Sequence, residues 1–185
     1  IYGEIILFRR QAASSHGRDG ALIYLAIGSN LPTEAHGDAR QNCAAAITLL
    51  GTAGISVTAC SPWYESAPMP ASEQPNFVNG VAGVRCDLSP HALLEACQAI
   101  ENRLGRVRPA AANAARTLDI DIIDWDGVRL SDGLLEIPHP RLAERLFVLG
   151  PLRDIAPDWR HPVTGIAIAE LVAALGNGQK IRRLR

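Results

Sequence analysis

The fold is decided by one stretch in the middle of the chain, Arg116-Thr117-Leu118-Asp119-Ile120-Asp121-Ile122-Ile123-Asp124. Apolar and polar residues alternate along it, which is typical of a half-buried strand because successive side chains point to opposite faces. The apolar positions are predicted to face a core, and the two acids to share the other face: Leu118, Ile120 and Ile122 on one side, Asp119 and Asp121 on the other. Carboxylates at this spacing, roughly 6.5–7 Å along a strand, suit a hard cation such as Mg²⁺. The alternative is a solvated strand face that carries two acids, because exposed Asp is common.

The segments before this strand indicate an α+β fold. Hydrophobic periodicity predicts strands at 22–27, 55–64 and 77–86, helices at about 35–50 and 89–104, and a loop at 65–74. Ser89 is a suitable N-cap, with Pro90 at the first helical position. Asp126-Gly127 predicts a hairpin turn after the acidic strand. The order of elements predicts a ferredoxin-like split βαβ arrangement, a mainly antiparallel sheet with helices on one face.

Length and composition suit one globular domain. We expect 21–185 to form a single domain and 1–20 to be an N-terminal extension of unknown role. A net charge of -1 and only 5% aromatic residues argue against a nucleic-acid-binding surface. No apolar run reaches the ~18 residues that a membrane span needs. Four cysteines lack metal-binding spacing and are predicted to be buried reduced thiols, which favours a cytoplasmic location: Cys43, Cys60, Cys86 and Cys97. We also expect the chain to be a monomer.

Arginines surround the acidic strand. Arg106, Arg108 and Arg116 precede it, and the preceding helix places Gln98 and Glu101 on one face. Arginine matches phosphate oxygens and paired acids match Mg²⁺, so the mixture predicts a site for a metal-bound polyphosphate. The alternative is a set of surface salt bridges between the same residues. No G-x-x-x-x-G-K-[ST] loop and no kinase G-x-G-x-x-G loop is present in the sequence.

Two further clusters carry polar chemistry. His139 lies between Pro138 and Pro140, which restrict its direction, and Arg145 follows. Phe77 and Asn79 share a strand face, and a ring beside a carboxamide suits a flat heterocycle. Taken singly, His139 is better explained by a structural role, and Phe77 with Asn79 by a core residue and a turn cap.

The ordered motifs resemble one enzyme family. They are Ala26-Ile27-Gly28-Ser29-Asn30-Leu31, Ser61-x-x-Tyr64-Glu65-Ser66, Gln74-Pro75-x-Phe77-x-Asn79, Gly105-Arg106-x-Arg108, Arg116-Thr117-Leu118-Asp119-Ile120-Asp121 and Ile137-Pro138-His139-Pro140-Arg141. In this order and spacing they resemble the 6-hydroxymethyl-7,8-dihydropterin pyrophosphokinase family over about 24–175. The resemblance implies transfer of pyrophosphate from ATP to the pterin hydroxymethyl group, with release of AMP, in folate biosynthesis. The rival hypothesis is a degenerate ferredoxin-like module that binds nucleotide without turnover.

The resemblance also implies roles for individual residues. Asp119 and Asp121 would bind two Mg²⁺ ions and, with Arg106 and Arg116, form the catalytic set. The ATP site would comprise Gln98, Glu101, Arg106, Arg108, Arg116, His139 and Arg145. The pterin pocket would comprise Ser66, Ala67, Met69, Phe77, Asn79 and Phe147.

The sequence departs from the family in three places. Family members commonly carry Trp-Gly-Pro before the acidic strand, where this chain has Asn113-Ala114-Ala115. We therefore expect this loop to have less apolar surface with which to pack over a bound nucleotide. Phe77 stands where Tyr is common, and 1–20 lies outside the resemblance.

Overall fold

A computed structural model describes residues 21–107, 114–176 and 178–185. The strands are β1 (Ile23–Ser29), β2 (Ser56–Cys60), β3 (Tyr64–Ser66), β4 (Phe77–Arg85), β5 (Asp119–Trp125), β6 (Leu130–Ser131), β7 (Glu136–Ile137) and β8 (Ile181–Arg183). The helices are α1 (Ala39–Thr52), α2 (Pro90–Arg103), α3 (Leu146–Ile155) and α4 (Ile168–Ala174), with a 3₁₀ turn at Leu142–Glu144. The predicted extension at 1–20 lies outside the described residues.

The main sheet has the order β5-β1-β4-β3-β8, and β2 also pairs with β4. Its pairs among the described strands are antiparallel. β1 lies between β4 and β5, with Gly28 opposite Asn79 on one side and Asp119 on the other. The predicted α+β fold with a mainly antiparallel sheet is confirmed, and the acidic strand β5 stands at one end of the strand order, paired with β1.

Helices pack on both faces of this sheet, so the expectation of helices on one face was wrong. α1 and α2 bury one face, where Leu118, Ile120 and Ile122 lie as predicted. α3 and α4 pack on the other face, against Val81 and Ile123. The second face is covered because these two strand positions are also apolar and must leave water.

The helix starts follow their capping residues. The Ser89 hydroxyl accepts from Ala92 N–H (3.3 Å) at the start of α2, which confirms the predicted cap. α1 begins four residues later than predicted, at Ala39 rather than about Ala35. Gly37 has φ +92°, which a right-handed helix excludes. Asp38 then caps the helix in a capping box with Gln41.

The strand predicted at 55–64 is two strands, β2 and β3, separated by Ser61-Pro62-Trp63. The Ser61 hydroxyl accepts from Val81 N–H (3.0 Å), and Pro62 has no N–H to continue the ladder. Trp63 packs onto Gly80, where a Cβ would lie 2.5 Å from the indole. Pairing resumes at Tyr64, so Ser66 is a strand residue rather than part of the predicted loop.

Two smaller expectations also change. The Asp126-Gly127 turn forms, with Val128 N–H donating to Trp125 O (2.9 Å), but β6 pairs with β7 and not with β5. Cys43 and Cys97 are buried, whereas Cys60 is exposed because β2 alternates exposed and half-buried positions. Within the described residues, no helix is both long and apolar enough to cross a bilayer.

Candidate active site

A cleft of about 310 Å³ opens on the sheet face that carries Asp119 and Asp121. Its lining includes predicted residues of the phosphate and metal site, namely Arg106, Arg116, Asp119, Asp121, His139 and Arg145. It also includes the whole predicted pterin set, Ser66, Ala67, Met69, Phe77, Asn79 and Phe147. The structure therefore brings the separate sequence clusters together in one cavity.

The floor of the cleft is a row of residues across three strands. Asp119, Gly28 and Asn79 are direct neighbours on β5, β1 and β4. Neighbouring strands lie about 4.8 Å apart, so the carboxylate and the carboxamide are separated by roughly 10 Å at the backbone. Gly28 leaves the space between them open, because a Cβ there would lie 3.3 Å from Asn79 Oδ1.

Asp119 is held between two guanidinium groups. Arg116 Nη1 donates to Asp119 Oδ2 (2.7 Å), and Arg106 Nη1 donates to Asp119 Oδ1. Arg106 also donates to Glu101 Oε1 (2.5 Å) and to Leu118 O (3.2 Å). The sequence left salt bridges between these residues as the alternative to a polyphosphate site. These ion pairs do form, but they lie in the wall of the cleft rather than on an open surface.

Asp121 is less fully paired. Arg145 Nη1 lies 3.7 Å from Asp121 Oδ2, which is beyond hydrogen-bond distance. The side chain keeps 38% of its surface open to the cleft. The walls nevertheless shelter the carboxyl from bulk water, and this burial, together with the charge of Asp119, raises the pKa of Asp121 to about 7.

Glu101 and Gln98 do not line the cleft. Glu101 is 2% exposed and lies behind Arg106, where it also accepts from Ile120 N–H (2.8 Å). Gln98 is half-buried on α2. Arg108 and Asn113, and with Asn113 the expectation about the loop, lie outside the described residues.

His139 is poised as a neutral donor. Burial, followed by the charges of Arg145 and Arg141, lowers the pKa of His139 to about 4. Arg141 N–H donates to His139 Nδ1 (3.0 Å), so the neutral ring carries its proton on Nε2. Its backbone is fixed by a bond from His139 N–H to Ile123 O (3.0 Å), which anchors the segment to β5.

The other end of the cleft is held by neutral bonds. Asn79 Nδ2 donates to Ser66 Oγ (2.9 Å), and both side chains are buried. This bond fixes the plane of the carboxamide. Phe77 lies two residues before Asn79 on β4 and lines the same cleft. The arrangement offers an oriented amide and an aromatic ring to a flat polar ligand.

Residues outside the predicted site set also form the cleft. Arg141 lines it. This arginine ends the motif Ile137-Pro138-His139-Pro140-Arg141, so the motif already pointed to it as a site residue. Asn30 supports a lining residue, because Asn30 Oδ1 accepts from Arg116 N–H (2.7 Å) while Asn30 Nδ2 donates to Pro75 O (3.1 Å). The Gly28-Ser29-Asn30 motif likewise pointed to Asn30, but only the tertiary structure shows which segments it joins.

The donors present fit Mg²⁺. Within the described residues, no group of three or more His, Cys, Asp or Glu side chains clusters as a protein-only metal cage. Mg²⁺ commonly binds through one or two carboxylates together with substrate phosphates, keeping several waters. Asp119 and Asp121 on one open strand face supply such a pair, and the arginines beside them suit the phosphates.

Most of the chain matches one known protein family. The sequence model described as 7,8-dihydro-6-hydroxymethylpterin-pyrophosphokinase (HPPK) matches residues 24–157, which include the whole cleft floor. The chain belongs to the HPPK family. The resemblance drawn from the motifs is therefore confirmed.

Bacterial relatives of this HPPK-family chain have similar length. A 2-amino-4-hydroxy-6-hydroxymethyldihydropteridine pyrophosphokinase of Pseudomonas aeruginosa is 41% identical, over 82% of this chain and 90% of that protein. The enzyme of the same name from Methylorubrum extorquens is 39% identical, over 82% of this chain and 92% of that protein. Other relatives are longer: the chain spans 20% of the folic acid synthesis protein fol1 of Pneumocystis carinii, at 40% identity.

Solved structures agree on the fold of the HPPK-family chain. A crystal structure of an HPPK-DHPS protein in complex with substrates matches with a TM-score of 0.62 at 14% identity, over 84% of this chain and 43% of that one. Wild-type HPPK-DHPS of Plasmodium falciparum with pteroate matches with a TM-score of 0.62 over 91% of this chain and 46% of that one. At this identity the likeness concerns the fold alone.

Proposed function

We propose that this chain transfers a pyrophosphoryl group from ATP to 6-hydroxymethyl-7,8-dihydropterin, giving the pterin diphosphate and AMP in folate biosynthesis. The observation that carries the proposal is the row Asp119-Gly28-Asn79 in one cleft, with an acid pair at one end and an oriented amide at the other. The bacterial relatives that carry this enzyme name and match over most of their length support it.

At the acid end, the residues neutralise and align phosphates. Asp119 and Asp121 would hold Mg²⁺, which neutralises phosphate charge and polarises the phosphoryl group when bound. Arg106, Arg116 and Arg145 would take up charge that develops on the phosphate oxygens. His139 Nε2–H would add a neutral donor.

At the amide end, the residues orient the acceptor. Asn79 would pair with the edge of the pterin, and Phe77 would contact its face. Ser66 holds the amide plane (2.9 Å). Ala67, Met69 and Phe147 supply further lining. Phosphoryl transfer depends chiefly on alignment and charge neutralisation, so a fixed acceptor hydroxyl beside the β-phosphate needs little further chemistry from the protein.

The finer assignments belong to the same proposal. Gln98, Glu101 and Arg108 complete the proposed ATP site, with Glu101 acting from behind Arg106 through their hydrogen bond. The proposal also includes two Mg²⁺ ions, a monomeric state, a cytoplasmic location and one pyrophosphokinase domain at 21–185. The free cysteines agree with a reducing compartment.

The test is product analysis with ATP, Mg²⁺ and the dihydropterin, following AMP and ADP by chromatography. We expect AMP only when all three components are present, and no ADP. Asp121→Asn, which keeps the shape of the side chain, serves as the inactive control. A folded protein that binds ATP but releases no AMP would establish the rival function, a nucleotide-binding module without turnover.

A further inference from the structure

One side chain of the C-terminal tail binds the backbone on either side of Arg145, a cleft residue. Gln179 Nε2 donates to Glu144 O (2.7 Å), and Leu146 N–H donates to Gln179 Oε1 (2.9 Å). The carboxamide therefore bonds the backbone on both sides of Arg145. Arg145 itself occupies the N-cap position of α3 and provides no side-chain cap. Gln179 supplies the missing acceptor at this helix start.

The tail is anchored next to Gln179. β8 pairs with β3 in a fixed register, with Ile181 opposite Ser66. The Ile181 side chain fills the space beside Gly150 of α3, where a Cβ would lie 2.4 Å from Ile181 Cδ1. Two independent contacts, one to the sheet and one to α3, thus fix the point from which Gln179 extends.

Arg145 depends on this support more than Arg106 and Arg116 do. Arg106 and Arg116 are each fixed by short bonds to Asp119. Arg145 lies 3.7 Å from Asp121, and its guanidinium carbon is 5.8 Å from the centre of the Phe147 ring. Among the described residues, Arg145 has only these longer side-chain contacts, so the direction of its side chain is set mainly by its backbone.

We propose that Gln179 is a positioning residue for the reaction, holding Arg145 at the phosphate end of the cleft by bridging Glu144 O and Leu146 N–H. The proposal rests on the proposed function. It places a determinant of phosphate binding in a tail that lies beyond residues 24–157, the range that the family's sequence model matches.

The substitutions separate positioning from simple helix capping. Gln179→Met keeps the length of the side chain and loses both hydrogen bonds. Gln179→Glu keeps the acceptor for Leu146 N–H, at a helix N-terminus where negative charge is favourable, but cannot donate to Glu144 O. Arg182→Ala is the matched control, because it lies in the same tail and pairs only with Glu65 on the surface among the described contacts (2.7 Å).

We expect Gln179→Met to lower kcat/KM for ATP about tenfold, since small displacements of positioning groups are costly, and to leave KM for the pterin unchanged. Gln179→Glu should retain the Tm of the wild type and still lose activity, whereas Arg182→Ala should keep both. In an Arg145→Ala background, Gln179→Met should have no further effect on kcat/KM. Wild-type activity in Gln179→Glu, or the same loss in both backgrounds, would overturn the positioning role.

A binding measurement keeps this test separate from the proposed function. Calorimetric affinity for a non-hydrolysable ATP analogue with Mg²⁺ needs no turnover. If wild-type protein releases no AMP, the proposed function fails, while weaker analogue binding in Gln179→Met than in Arg182→Ala still supports the placement of Arg145. Equal affinity in wild type and Gln179→Met would refute it.

Discussion

The two ends of the cleft are built on different principles. At the acid end, Asp119 already satisfies its charge within the protein through Arg106 and Arg116. At the amide end, Asn79 and Ser66 share one neutral hydrogen bond, and no other partner of the Asn79 carboxamide lies among the described residues. Both ends lie on the same row of the sheet, with only Gly28 between them.

This difference has a consequence for binding. A phosphate or a metal at the acid end must exchange existing ion pairs for new ones, so part of its favourable energy replaces interactions that the protein already has. A ligand at the amide end meets groups already oriented, which lowers the entropy lost on binding. We therefore expect the acid end to depend strongly on charge and pH, and the amide end to depend on shape.

The largest effect should come from the acid pair. Asp121→Asn and Asp119→Asn are each expected to lower kcat by at least about 10²–10³-fold, because each removes a negative ligand from a site built for electrostatic stabilisation. Steady-state AMP release measures this loss. Circular dichroism should show an unchanged fold in both variants.

Stability distinguishes the two acids. Asp119→Asn deprives Arg106 and Arg116 of their shared partner and should lower Tm, whereas Asp121→Asn removes a repelled, sheltered charge and should not. Near-normal AMP release in either variant would contradict the metal assignment. A loss of Tm in Asp121→Asn would contradict the contrast between the two carboxylates.

The amide end should respond more moderately and only to the pterin. Phe77→Ala and Asn79→Ala are each expected to weaken pterin binding by on the order of 1–3 kcal/mol, through lost ring contact or lost amide bonds. Affinity for an ATP analogue should stay unchanged, and calorimetry measures both ligands. An equal loss of both affinities would indicate a folding defect instead.

The open floor between the ends offers a smaller perturbation. Gly28→Ala places a methyl group 3.3 Å from Asn79 Oδ1, so the carboxamide must shift by a few tenths of an ångström. We expect pterin affinity to fall about tenfold. Gly83→Ala is the control. Gly83 lies on the same strand as Asn79, and a Cβ there would meet its nearest neighbours at 3.4 Å or more. Equal effects from both alanines would show that the floor row has no special role.

The sequence predicted what depends on local pattern. The period-2 alternation at 118–122 placed Leu118, Ile120 and Ile122 in the core correctly, because an alternating strand has only two faces. The Ser89 cap was predicted for the same reason, since its partner lies three residues away. The grouping of the cleft residues came from the order of the family motifs rather than from any single pattern.

The errors concern contacts between distant segments. β3 was missed because the break at Ser61–Trp63 depends on Gly80 and Val81, residues of another strand. β8 was missed because Ile181–Arg183 carries a single apolar residue, and it forms a strand through its pairing with β3. The role proposed for Gln179 follows from that pairing, so the pattern of the tail alone contains no sign of it.

The smallest expected effect is a pH dependence of stability at the acid end. The pKa of Asp121 is raised from 3.8 to about 7 by burial and by Asp119. Between these values the folded protein holds a proton that the unfolded chain releases, so the contribution of Asp121 to stability falls as pH rises through this window. Asparagine resembles the protonated acid and avoids that loss.

Asp121→Asn should therefore raise Tm more at pH 8 than at pH 5, by on the order of 2–4 °C for a chain of this length. Calorimetry with a chelator present makes the comparison, because bound metal would stabilise the ionised acid and hide the difference. Asp87→Asn, an exposed acid outside the cleft, should change Tm equally at both pH values. If Asp121→Asn behaved like Asp87→Asn, the carboxyl would be as well solvated as a surface acid. The acid end would then differ from the amide end in its residues but not in its shelter from water.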